Sequence, residues 1–210
     1  MPTNGSRYAN GANGANGVNG SGWLDSIASP VHHIADQAFH VMEPVRSALG
    51  GDWLGHKLHP MLNDIPIGAW TAGLALDLVE VASDSKKLRK GADIVQAVGL
   101  AGAMAAALAG IVDWTRTQGE AKRYGFVHGA ANMVIAGLYG GSLLARASGM
   151  RKLGIALSCT GYCLMLGSGM LGSMVAYKMG AITQNQPAGA STQASAPRPV
   201  ATSNGVVAHS

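Results

Sequence analysis

Four long stretches of the chain are predominantly apolar: residues 64–82, 93–114, 124–145 and 153–177. The second carries no charge from Ile94 to Val112, the third none at all although it contains His128, and the fourth none over its 25 residues. Each is at or near the roughly 20 residues that a helix needs to cross about 30 Å of hydrocarbon. A soluble bundle would need a charged stripe on every helix, and the second and fourth stretches have none. The pattern predicts an all-α fold, a four-helix transmembrane bundle. Asp64 is the expected N-cap of the first helix, with Pro66 tolerated in its first turn.

Ahead of the bundle, Leu24, Ile27, Val31, Ile34, Ala38, Met42, Val45 and Leu49 recur at spacings of three and four. They form one helical face, from which Asp25, Asp36, Glu43 and Arg46 are absent. Pro30 and Pro44 are expected to break or kink this segment. It reads as an amphipathic juxtamembrane helix, or two, lying on the membrane surface or packing on the bundle. Residues 1–22, with Ala-Asn-Gly repeated, and residues 181–210, rich in Ala, Ser, Gln and Pro, read as disordered tails. The expected organisation is therefore 1–22 tail, 23–58 amphipathic segment, 59–180 four-helix domain and 181–210 tail.

Composition sharpens the membrane reading. Charged residues are 12%, aromatics 5%, and glycine occurs 30 times; small side chains let membrane helices approach closely. Three ridges of this kind stand out: Gly102, Ala106 and Gly110; Gly137 and Gly141; Gly169 and Ser173. The net charge of +4 does not call for nucleic acid, because the basic residues cluster between apolar stretches. Four crossings put both termini on one side and the loops around 86–90 and 146–152 on the other. The dense run Lys86, Lys87, Arg89 and Lys90 makes that loop side cytoplasmic by the positive-inside rule, and the termini non-cytoplasmic. No secretory signal pattern opens the chain.

Candidate chemistry gathers at the terminus side. His56 and His59 precede the first helix, Asp113 and Trp114 close the second, and His128 and Asn132 share a face of the third. Neutral imidazole is a good ligand for haem iron, copper or zinc, and haem in helical membrane proteins is commonly held by histidines from two helices. His59 and His128 are the leading pair, with His56 and Asn132 beside them. A transition metal held by His56, His59, His128 and Asp113 is the alternative to haem b. Interfacial capping competes with both. At the other end, Asp77 and Glu80 are expected to pair with Arg89, Arg146 or Arg151 rather than line a proton path. Cys159 and Cys163 read as inert buried thiols, and His32, His33 and His40 as part of a polar face turned to solvent or headgroups. No nucleophile–base pair or phosphate loop appears, so no reaction is named.

The run Trp53-Leu54-Gly55-His56-Lys57-Leu58-His59-Pro60, then Asp64-Ile65-Pro66-Ile67-Gly68-Ala69-Trp70 and Asp77, resembles an uncharacterised bacterial membrane family, domain-of-unknown-function family 2231. The likeness continues through Gly110-Ile111-Val112-Asp113-Trp114, His128 with Asn132, Leu138-Tyr139, and Leu171-Gly172 to Tyr177, over residues 45–182. The resemblance implies four transmembrane helices in a bacterial inner membrane and no settled activity. It also implies redox company, because relatives occur fused to or encoded beside Rieske-type iron–sulfur domains. Lys57 stands where the family usually has proline, and Met174 stands near a position where a polar residue is usual.

Two functions follow as expectations. One is a redox-associated membrane subunit with a haem or metal site at the histidine corner, partnered by a membrane redox complex or iron–sulfur protein. The other is a cofactor-free accessory or scaffold subunit. A transporter would need a homo-oligomer to line its path.

Overall fold

The computed structural model describes residues 22–178, and every regular element among them is helical. Six α-helices follow in order: α1 (Gly22–Val41), α2 (Glu43–Gly50), α3 (Leu58–Ser83), α4 (Arg89–Thr115), α5 (Gly119–Ala147) and α6 (Arg151–Ser173), which ends in a π turn at Met174–Lys178. Both predicted tails, apart from Gly22, lie outside the described residues.

Three helical segments are long and apolar enough to cross a membrane: Leu58–Ser83, Lys86–Thr115 and Arg151–Lys178. The stretch predicted as the third crossing, now α5, is not among them. It is 29 residues long, but its glycines and the polar His128, Asn132 and Ser142 dilute its hydropathy. The described residues are thus all-helical in their regular structure, with three apolar spans and a fourth long helix packed among them.

The first span starts two turns earlier than the pattern suggested. Lys57 is extended and α3 begins at Leu58, so Pro60 occupies the tolerated first turn. Asp64 is therefore an exposed residue within the helix, not its cap. Pro66 sits buried inside α3 and packs on α4, where a Cβ on Gly102 would stand 3.2 Å from its Cδ and 2.4 Å from Ile65 Cγ2. The ridge of Gly102, Ala106 and Gly110 is a real approach surface. The other two predicted ridges are not: Gly137 and Gly169 face open space. On α6 the close approaches fall instead at Gly154, Gly161 and Gly172.

α3 packs along α4 and α5 along α6 as two antiparallel hairpins, and α4–α5 and α3–α6 close the bundle. The backbones of α3 and α5 do not touch; their side chains meet across the diagonal. Trp70, Ile135 and Tyr139 form the buried centre, flanked by Leu100, Ala103, Tyr162 and Met165.

α1 and α2 lie against the end where α4 passes into α5. α1 continues through Pro30, and the break comes at Met42, after which Pro44 starts α2. The polar face of α1 is the one that docks: Ala28 is fully buried, Arg123 donates to Asp25 at 2.6 Å, and Lys122 donates to Ser29 at 2.9 Å. The apolar face, with Trp23, Ile27, Val31, Ile34 and Met42, is exposed.

Candidate functional site

His59 enters from the first turn of α3 and His128 from the third turn of α5. Across the diagonal their ring centroids are 6.3 Å apart and their planes nearly perpendicular. Each ring is pinned by the neighbouring helix of its own hairpin. His59 Nδ1 donates to the Ala106 carbonyl of α4 at 2.7 Å, and His128 Nδ1 donates to the Ser168 carbonyl of α6 at 3.0 Å. A donated Nδ1–H fixes the neutral tautomer with its lone pair on Nε2. In both cases that lone pair accepts from an asparagine one turn on: Asn63 Nδ2 at 3.2 Å and Asn132 Nδ2 at 2.9 Å. Ser168 Oγ donates to Asn132 Oδ1 at 3.1 Å, closing a ring of hydrogen bonds through His128, Ser168 and Asn132. Close backbone approach makes this packing feasible. A Cβ on Gly110 would stand 2.8 Å from His59 Nδ1, and one on Gly172 would stand 2.8 Å from His128 Cε1.

The structure brings His59, His128 and Asn132 into contact; Asp113 lies near enough to His59 for their charges to interact but bonds none of the three, and His56 does not join them. His56 is exposed in the segment before α3. Asp113 faces Lys57, with 3.7 Å between Nζ and Oδ1 and both side chains largely buried. Among the described residues, no three His, Cys, Asp or Glu side chains stand together as a metal-holding group. The chain's own donors at this corner are two imidazoles and two amides. Lys57 is the basic residue that faces Asp113.

The opposite end is a buried charge network. Arg146 forks onto Asp77 with Nη1–Oδ1 at 2.8 Å and Nη2–Oδ2 at 2.6 Å, and both side chains are only 1% exposed. Gln96 donates to Asp77 at 2.8 Å, and Ser142 and Ser158 complete the shell of Arg146. Glu80 is held by Arg89 at 2.7 Å and by Arg151, which also reaches Asp93 at 2.9 Å. The expected ion pairing of Asp77 and Glu80 with Arg146, Arg89 and Arg151 near the helix ends is thus found, and the Asp77–Arg146 pair is buried in the bundle. Arg146, read from the sequence as a loop charge, belongs to the core.

Two smaller expectations change. His33 and His40 are exposed, but His32 is half-buried, donating Nε2 to the Trp114 carbonyl at 3.2 Å and touching the indole edge-on. Cys159 is half-buried and Cys163 faces outward.

Asn63, Ser168 and Gln96 are site residues that the sequence reading missed. Asn63 had a signal: it follows His59 by four residues, as Asn132 follows His128. Ser168 and Gln96 had none, being single polar residues in apolar runs.

No curated protein and no solved structure matches this chain. A family model described as "Predicted membrane protein (DUF2231)" matches residues 55–185, which takes in the histidine corner, the charge network and all three apolar spans. The chain therefore belongs to the DUF2231 family of membrane proteins.

Proposed function

We propose that this protein is a redox-associated subunit of a bacterial inner-membrane complex, in which His59 and His128 hold a haem iron. One observation carries the reading. Two imidazoles from diagonal helices face each other at 6.3 Å, each with Nδ1 committed to a backbone carbonyl and Nε2 as its remaining ligand atom. Metal-ligating histidines commonly donate their other ring N–H to a carbonyl in this way. A haem iron would be held by His59 and His128 alone; a bare ion that also needed His56 and Asp113 would find no such group of side chains among the described residues. Bound haem would supply one-electron transfer. The chain's part is to orient both rings, through Ala106 and Ser168, and to release each Nε2 from its asparagine.

In this reading α5 is the fourth crossing, because its charge-free stretch lies alongside α6, and both termini are non-cytoplasmic. The visible spectrum of the purified, haem-supplemented protein tests the proposal. A Soret band that His59→Ala and His128→Ala each abolish supports it. Folded, colourless protein after haem supplementation overturns it.

The second reading is a cofactor-free scaffold. It is favoured by the fact that all four ring nitrogens already have partners within the protein. Here the histidines are interhelical clamps. Co-purification with a larger membrane partner, unchanged by histidine substitution, is its expected result.

A further inference from the structure

The two hairpins match position by position. One offset of 69 residues carries His59 to His128, Asn63 to Asn132, Trp70 to Tyr139 and Asp77 to Arg146. One offset of 62 carries Ala106 to Ser168, Gly110 to Gly172, Gly99 to Gly161, Gln96 to Ser158 and Arg89 to Arg151. These pairs do the same work in each hairpin. Both histidines donate to the first of those α4 and α6 carbonyls and accept from an asparagine four residues on. Gly110 and Gly172 lie under the two imidazoles. Gly99 lies under Trp70 and Gly161 under Tyr139, with Cβ approaches of 2.4 and 2.9 Å. Arg89 and Arg151 are the exception in their contacts: both converge on Glu80, whose own equivalent position is Gly149. Every buried residue of α6 has a buried counterpart in α4.

Across the diagonal, equivalent residues meet each other: His59 with His128, Trp70 with Tyr139, and Asp77 with Arg146. Equivalent residues meet in this way only around a twofold axis. Since α3 and α5 run in the same direction, the axis lies along the bundle. The offsets differ because α3 runs further past Asp77, to Ser83, than α5 runs past Arg146, to Ala147, and because the turn from α3 to α4 is also the longer one.

We infer that the membrane domain is one helical hairpin duplicated in tandem about a pseudo-twofold axis, so that the two His–Asn dyads are halves of a single site for an imidazole-binding metal centre. The ligand half of this inference rests on the function proposed above; the duplication does not. The Asp77–Arg146 layer then acquires a role. A pair of identical first hairpins would set Asp77 against Asp77 in a buried layer, and a pair of identical second hairpins would set arginine against arginine. Like charges cannot share such a layer. Opposite charges at equivalent positions therefore specify the first hairpin's partner as the second hairpin and disfavour a second copy of itself.

Two measurements on the full-length protein decide the matter. The first is charge exchange. Asp77→Arg and Arg146→Asp should each depress the yield of folded, monodisperse protein in detergent, and the double variant should recover most of it, because each charge moves into an equivalent setting. Exchange at Glu80 and Arg151, which the axis does not relate, should give no recovery. Recovery at both pairs, or at neither, overturns the duplication. The second is stoichiometry, with hemin and with Co²⁺ alone as probes. The expected result is one equivalent of one probe per chain, lost with either His59→Ala or His128→Ala, and not weakened by Asn63→Leu or Asn132→Leu, because each asparagine competes with the ligand for Nε2. Two equivalents, or loss from only one dyad, shows separate sites and overturns the shared site. Binding of Co²⁺ but not hemin keeps the shared site and overturns haem as its ligand. Binding of neither overturns both the shared site and the proposed function, while the charge exchange still decides the duplication.

Discussion

Trp70 and Tyr139 stack face to face at the centre of the bundle, with ring centroids 3.8 Å apart and planes within 2° of parallel. Trp70 also donates Nε1 to the Gln96 carbonyl at 3.3 Å. The stack is the central of three contacts, with His59–His128 and Asp77–Arg146 on either side, that join α3 to α5, whose backbones do not touch. Trp70→Ala should therefore cost about 3–5 kcal/mol, the usual range for a large core aromatic. Tyr139→Phe keeps the ring and should be close to neutral. Thermal unfolding in mild detergent, followed by near-ultraviolet circular dichroism, separates the two outcomes. Equal destabilisation by both would mean that the phenol, not the stack, matters.

Arg146 and Asp77 form a nearly fully buried pair, and without Arg146 the only basic partner left to Asp77 is Arg151, at 3.3 Å. Arg146→Met should cost about 3 kcal/mol, the low end for breaking a buried pair, because Asp77 would lose its two-pronged partner and keep the longer contact. The double variant Asp77→Leu with Arg146→Met should be less damaged than Arg146→Met alone, since replacing both members of a buried pair by apolar groups is often tolerated. Chemical unfolding curves of the three proteins test this ordering. A double variant worse than the single would show that Gln96, Asp93 and the two serines need the charge.

These contacts also explain which parts of the molecule were legible in the sequence. The apolar runs marked three spans because lipid exposure demands continuous hydrophobicity. α5 was legible as a long charge-free stretch, yet its polar inner face keeps it out of that set. His59 and His128 could be paired because helix direction alone fixes their depth. Their lateral meeting, without His56 and Asp113, depends on helix rotation, which glycine positions such as Gly110 and Gly172 decide. The docking face of α1 was misread for a related reason. In water an apolar stripe packs inward, but beside a bilayer the polar stripe can pack on protein and leave the apolar one for lipid.

Acid should loosen the amino-terminal cap before the bundle. The Arg116 guanidinium, bonded to Asp52 through both carboxylate oxygens at 2.9 Å, holds that carboxyl below its ordinary range, and Arg123 does the same to Asp25. A depressed folded-state value means that the stabilisation is complete above the unfolded value, near 4. It is lost as pH falls through the lower folded-state value. Asp52 is partly exposed, so its bridge is worth at most about 1 kcal/mol. Hydrogen exchange across α1 and α2 should rise relative to α3–α6 as pH drops below about 4, beyond the intrinsic pH dependence. Asp52→Asn should raise exchange of this cap at neutral pH and flatten the acid response. An acid response identical in wild type and Asp52→Asn would show that this bridge does not fasten the cap.

The exposed stripe of α1 should sit in the lipid headgroup region. Its polar face is taken up by the bundle through Asp25, Ser29 and His32, while Trp23 is 63% exposed and Ile34 66%. An apolar helix face rimmed by charge, held at the end of a membrane-spanning bundle, gains most by lying in the interface. Indoles favour that depth because one edge is apolar and the other donates a hydrogen bond. A variant retaining Trp23 as its single tryptophan, with Trp53, Trp70 and Trp114 replaced by phenylalanine, should show blue-shifted emission in vesicles. Lipids brominated near the headgroup should quench it more strongly than lipids brominated at the chain ends. Ile34→Asp on the same stripe should weaken the quenching without changing the fold of α3–α6. Red-shifted emission insensitive to either lipid would place the stripe in water, and the apolar face of α1 would then need a protein partner.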